Sequence, residues 1–239
     1  MSLRQVPSAL PSTRDRLHQL AYFALAPTRY RVTRRMGLRA TPGGFGTPEF
    51  EGRVARLEGV SLVHEDGEEV TTEPVTTLGR ACDFFGIPYQ VDWFTDFGDP
   101  LPPLDPEEDL ALDSEGSAFV AEWFDFGFRV LAELSGRGFP DDELSEPQLW
   151  PEHFDPAIEM GSEQRGQRAS YGASPGDHAH ELPYVYVSAW GEIDRSNPYW
   201  NDSAFNGASL GYLELLASDD PQATAIEFML GGHGILHSA

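Results

Sequence analysis

Apolar residues recur along the chain at helical spacing in some blocks and at strand spacing in others. Leu17, Leu20, Ala21 and Ala24 fall on one side of a helix that Ser12 or Thr13 can cap, with Pro27 just past its end. From Thr28 onward, Tyr30, Val32, Met36 and Leu38 alternate with Arg29, Arg31, Arg35 and Arg39. That period of two predicts a half-buried strand over residues 28–39. A glycine-rich turn at 41–48 leads to strands over 50–57 and 60–64, and Asp66-Gly67 is a hairpin turn into a strand over 68–72. Residues 76–85 read as a short helix with Leu78, Ala81, Cys82 and Phe85 on its apolar side, closed by Gly86 and Pro88.

The pattern then starts again. Residues 99–109 hold four prolines and five acids, too stiff and too charged to bury, and read as a connector. Ser114 caps a long aromatic-rich helix through Val120, Trp123, Phe124, Leu131 and Leu134, ended by Gly136. Strands are predicted over 148–160, 181–190 and 208–214, the first of them an edge or broken strand because of Pro151 and Pro156. A last helix begins at Ser218, Asp219, Asp220 and Pro221. The expected fold class is α+β, with antiparallel sheets flanked by helices. The order helix, strands, helix occurs twice, which points to two similar halves, 1–98 and 110–239, joined by 99–109 and packed as one compact unit. An ordinary antiparallel α+β domain in which the repeated order is coincidence is the alternative.

Composition narrows the chemistry. The 239 residues include 39 Asp+Glu against 16 Lys+Arg, a net charge of -23, and 40% are hydrophobic, enough for a sizeable core. None of the basic residues is lysine, so a Walker-type phosphate loop, a Schiff-base aldolase and a pyridoxal-phosphate enzyme lack the amine each requires. Lone Cys82 excludes an intramolecular disulfide, a four-cysteine zinc site and a CxxC redox pair. The acidic surface argues against nucleic acid and anionic membrane as partners. No apolar run approaches the roughly 18 residues of a membrane span, and the N-terminus is polar. A cytoplasmic location is the expectation.

Charge is also unevenly placed. Residues 1–57 carry ten Arg against Asp15, Glu49 and Glu51, and the other 36 acids follow. On the expected strand, Arg29, Arg31 and Arg35 form either a fork-like anion site for phosphate or carboxylate, or a face neutralised by the acidic remainder of the chain.

Several motifs fail on inspection. Gly172-Ala-Ser174-Pro-Gly176 has the G-x-S-x-G outline of a hydrolase nucleophile elbow, but Pro175 has no N–H for an oxyanion hole, and a strand follows rather than a helix. Gly43-Gly44-Phe45-Gly46 lacks the third glycine of a dinucleotide loop, because Glu49 stands there. The Asn-rich stretch 197–207 and the glycines around His233 read as a turn and a frayed end.

The sharpest cluster is His153 with Asp155, and Asp177 with His178 and His180. In an extended strand residues two apart share a face, so His153, Asp155 and His180 could hold a divalent metal such as zinc or manganese, with Asp177 or Glu159 as base; a polar pocket without metal and ordinary hydrogen-bonded loop histidines are the alternatives. Tyr184, Tyr186, Ser188 and Trp190 share one face of the next strand, either packing against a second layer or lining a ligand groove, so Asp177, His178, Tyr184 and Tyr186 join Arg29, Arg31 and Arg35 as candidate ligand-binding residues.

Leu149-Trp-Pro-Glu-His-Phe-Asp155 and Tyr171-Gly-Ala-Ser-Pro-Gly-Asp177, followed by Pro183-Tyr-Val-Tyr-Val187, resemble blocks of a family of uncharacterised bacterial proteins, a domain of unknown function. The resemblance implies a similar order of elements and brings no activity. The functional expectation is a small polar ligand bound in a pocket of the C-terminal half. A metal-dependent hydrolase is one alternative, and an acidic protein–protein interaction module another.

Overall fold

The computed structural model describes residues 3–94, 101–138 and 141–238. The protein is α+β, with two five-stranded antiparallel sheets and flanking helices. The chain divides into two compact units: Val6–Phe124 with Leu149–Phe154, and Met1–Gln5 with Asp125–Gln148 and Asp155–Ala239. Of the expected connector, residues 99 and 100 lie outside the described residues. Residues 101–109 belong to the first unit, where the Pro106 carbonyl accepts from Gly79 N–H at 2.8 Å.

The first unit opens with helix α1 (Leu10–Leu20), a π-helical turn (Ala21–Leu25) and helix α2 (Ala26–Thr33). This corrects the strand expected over 28–39. The Ala26 N–H reaches back five residues to the Ala21 carbonyl. Widening the turn in this way lets the helix pass Pro27, whose missing N–H and bulky ring would otherwise break it. Thr28 Oγ1 donates to the Ala24 carbonyl at 2.7 Å, which keeps the far side closed. The helix ends at Arg34, in the left-handed region at φ 59°. The apparent alternation was therefore a coincidence of residue order, and Val32 is 43% exposed.

The sheet of this unit is a meander in chain order: β1 (Arg39–Thr41), β2 (Gly44–Gly46), β3 (Arg53–Glu58), β4 (Ser61–Asp66) and β5 (Glu69–Pro74). The glycines read as a turn thus form a strand. A Cβ on Gly46 would stand 2.3 Å from Arg56 Cβ, so only glycine permits this approach to β3. Helix α3 (Leu78–Phe84) is capped by Thr77, whose hydroxyl accepts from Arg80 N–H at 3.2 Å. Phe45, Phe124 and Phe154 meet edge to face with ring centroids 5.0–5.7 Å apart, forming the centre of the unit's core.

Helix α4 (Ser114–Ser135) counts with the first unit as far as Phe124 and with the second from Asp125. The other sheet has the order β10-β9-β8-β7-β6: β6 (Gln148–Trp150), β7 (Asp155–Met160), β8 (Ala169–Ser174), β9 (Tyr184–Ala189) and β10 (Gly207–Gly211). Strand β8 lies where no strand was expected, because Ala, Ser and Gly carry little strand preference. Its Gly172 lies opposite Tyr186, and a Cβ there would come within 2.5 Å of the Tyr186 hydroxyl. Helix α5 (Tyr212–Ala217) follows β10, and α6 (Pro221–Ser238) begins with Pro221 at its first position, after Asp220, whose carboxylate accepts from Ala223 N–H at 3.1 Å.

Candidate metal centre

Residues 148–160 do not form the single strand on which the expected ligand set depended. Strand β6 stops at Trp150, whose carbonyl accepts from Phe154 N–H at 2.7 Å, and Phe154 is left-handed at φ 56°. His153 is consequently an exposed turn residue in the first unit, while Asp155 begins β7 in the second. Residues two apart share a face only in extended backbone, so the i, i+2 argument does not apply here. Among the described residues, His153, Asp155 and His180 do not constitute a group of converging ligand atoms.

Most of the C-terminal candidates do meet, but as hydrogen-bonded pairs. Asp177 accepts from Tyr184 Oη at 2.6 Å and from the N–H groups of Ala179 and His180 at 2.7 and 2.8 Å. Burial works to raise its pKa, but these donors outweigh it and hold the carboxyl below its ordinary value. Burial, together with the bond to Asp177, pushes the Tyr184 hydroxyl far up. Tyr186 Oη donates to Asp155, and burial raises that hydroxyl as well. His180 Nε2 faces Asp202 Oδ2 at 2.9 Å, and its ring lies 4.4 Å from that of Tyr184. His178 is exposed. Glu159 is held by Arg168 at 2.7 Å, so neither it nor Asp177 stands ready as a base.

Three side chains the sequence reading passed over converge instead. Among the described residues, Asp142, His233 and His237 bring one ligand atom each to within 4.8 Å of the others. His233 and His237 lie four apart on α6, and so on one face of it, in the segment His-Gly-Ile-Leu-His. That spacing is visible in the sequence. Gly231, Gly232 and Gly234 disguised it as a frayed terminus. The glycines have another role: a Cβ on Gly232 would stand 2.5 Å from Tyr199 Oη, which donates to the Phe228 carbonyl at 2.8 Å and braces the helix.

Asp142 bridges the two imidazoles. Its Oδ2 is 3.0 Å from His233 Nε2 and its Oδ1 is 2.9 Å from His237 Nε2. The other ring nitrogens are also held. His237 Nδ1 lies 2.9 Å from the His233 carbonyl, and His233 Nδ1 lies 3.0 Å from the hydroxyl of Tyr171 on β8. Burial lowers the His233 pKa against the opposing pull of Asp142, which favours the neutral, metal-ligating form. Burial raises the Tyr171 hydroxyl far above its usual value, so it remains a phenol. The side chains of Asp142 and His233 are 4% and 2% exposed and that of His237 is 13%, so solvent reaches the cluster from the His237 side.

The hydrogen bonds dictate the electronics. A carbonyl can only accept, so His237 Nδ1 is the donor toward His233 O. In neutral His237 the remaining nitrogen, Nε2, is then a bare lone pair, and it faces a carboxylate oxygen, also an acceptor, at 2.9 Å. A cation between them, a proton or a metal ion, resolves that opposition. Comparison of the chain with protein-family models, with curated proteins and with solved structures returns no match.

Proposed function

We propose that this protein binds a divalent transition-metal ion, zinc in preference to manganese, through Asp142, His233 Nε2 and His237 Nε2. The observation that carries the reading is the convergence of one ligand atom each from Asp142, His233 and His237 within 4.8 Å, in a cluster whose outer nitrogens already have the partners that metal-bound histidines use, a backbone carbonyl and a polar side chain. Zinc bonds of about 2.0–2.2 Å at tetrahedral angles separate donor atoms by roughly 3.3–3.5 Å. The pairs at 2.9 and 3.0 Å need to part by only about half an ångström to admit it. Two imidazoles and one carboxylate favour zinc over manganese in the usual order of divalent affinities. Three protein ligands leave one position for water or a small polar ligand, the arrangement that metal-assisted hydrolysis requires.

The test is a zinc titration of untagged, chelator-treated protein against a chromophoric competitor. About one equivalent should bind, and His237→Ala and Asp142→Asn should each weaken binding by more than about a hundredfold. Less than about a tenth of an equivalent bound, or variants that bind as tightly as the parent, would refute the reading.

A further inference from the structure

The first unit holds a different kind of site, at the end of α2. A pocket of ≈ 110 Å³ is walled by Phe23, Tyr30 and Trp93, with Arg31, Arg34 and Gln90 also lining it. Tyr30 and Trp93 meet edge to face, centroids 5.3 Å apart at 69°. The Arg34 guanidinium stands 5.4 Å from the Tyr30 ring centroid, and Arg31 Nη1 donates to Gln90 Oε1 at 3.3 Å.

Two features of this pocket are unexplained by the fold. Among the described residues, Arg29, Arg31, Arg34 and Arg35 form no ion pair, although the chain carries 39 acids. The alternative in which the acidic remainder neutralises this arginine group is therefore not realised within those residues. Arg29 instead donates to the Gly37 carbonyl at 2.8 Å, and only Arg31 of the three arginines expected at an anion site reaches the pocket. Second, the indole Nε1 of Trp93 is buried without a hydrogen-bond partner. A donor left unpaired in this way is expensive.

We infer that this pocket binds a small organic carboxylate with a compact apolar body. The carboxylate lies between the Arg31 and Arg34 guanidiniums, one oxygen accepts from Trp93 Nε1, and the apolar part packs against Phe23, Tyr30 and Trp93. A planar carboxylate suits both the guanidinium forks and a slot between ring faces. At ≈ 110 Å³ the pocket is small for a ligand site, which suits an apolar body of about the size of a phenyl or branched alkyl group.

Isothermal titration of the full chain at low ionic strength tests this with benzoate and 3-methylbutanoate as probes, benzamide as the uncharged control and inorganic phosphate as the competing anion. Benzoate or 3-methylbutanoate should bind at about one equivalent, with benzamide and phosphate at least about tenfold weaker. Arg31→Met with Arg34→Met, both at exposed positions, should weaken binding by more than about tenfold, and Trp93→Phe, which keeps a ring and removes the N–H, by about tenfold. Circular dichroism should show both variants folded. The inference is overturned if benzamide or phosphate binds as well as the carboxylates, if the folded variants bind unchanged, or if neither carboxylate binds.

Discussion

His18 offers the most quantitative test of the folded first unit. Its Nε2 is 2.9 Å from the Pro151 carbonyl, its ring stacks on Phe154 at 5.1 Å and 10°, and burial lowers its pKa from 6.5 to about 4. A depressed histidine is neutral in the folded state, whereas the unfolded chain takes up a proton near pH 6.5. Its contribution is therefore complete above about pH 6.5, declines as the pH falls toward about 4, and changes no further below that. The difference between about 6.5 in the unfolded chain and about 4 in the folded one corresponds to about 3 kcal/mol, of which about 2 kcal/mol is lost between about pH 7.5 and pH 5. His18→Phe keeps the stacking and removes the titration. Urea unfolding followed by tryptophan fluorescence should therefore show the parent losing about 2 kcal/mol more than the variant across that interval. Parallel pH profiles for the two proteins would mean that His18 is not held neutral by its burial.

Two further outcomes follow from packing and burial. Gly232→Ala places a methyl 2.5 Å from Tyr199 Oη, so it should displace the Tyr199–Phe228 hydrogen bond, destabilise the protein by about 1–3 kcal/mol in urea titrations and loosen α6 beneath His233 and His237. The buried Cys82 thiol is pushed up to about 12 by burial and by Asp83, so it should resist a disulfide reagent at neutral pH in the native protein and react fully once denatured.

The legible parts of the fold are those where local chemistry and tertiary packing agree. The hairpin at Asp66-Gly67, the threonine-capped α3 closed by Gly86, and α6 begun by Asp220 and Pro221 all lie where turn and cap residues place them. Where a tertiary device intervenes, local reading fails. The π-helical turn at Ala21–Leu25 carries a helix through Pro27 and turns an apparent strand into α2, and the Gly and Ser residues of β8 carry no strand signal because Tyr186 fills the space over Gly172. The candidate site divides in the same way. The His-x-x-x-His spacing of His233 and His237 was available to a helical reading that extended to the end of the chain. Asp142, some ninety residues earlier in a loop, carries no local pattern, and only the folded structure brings it to them.

X-ray absorption at the zinc edge of the loaded protein examines the ligand set most directly. The expected spectrum has two imidazole nitrogens and one carboxylate oxygen at about 2.0–2.2 Å, with one further light atom, and one imidazole fewer in His237→Ala. A shell of oxygen alone, or a spectrum that the substitution leaves unchanged, would contradict it.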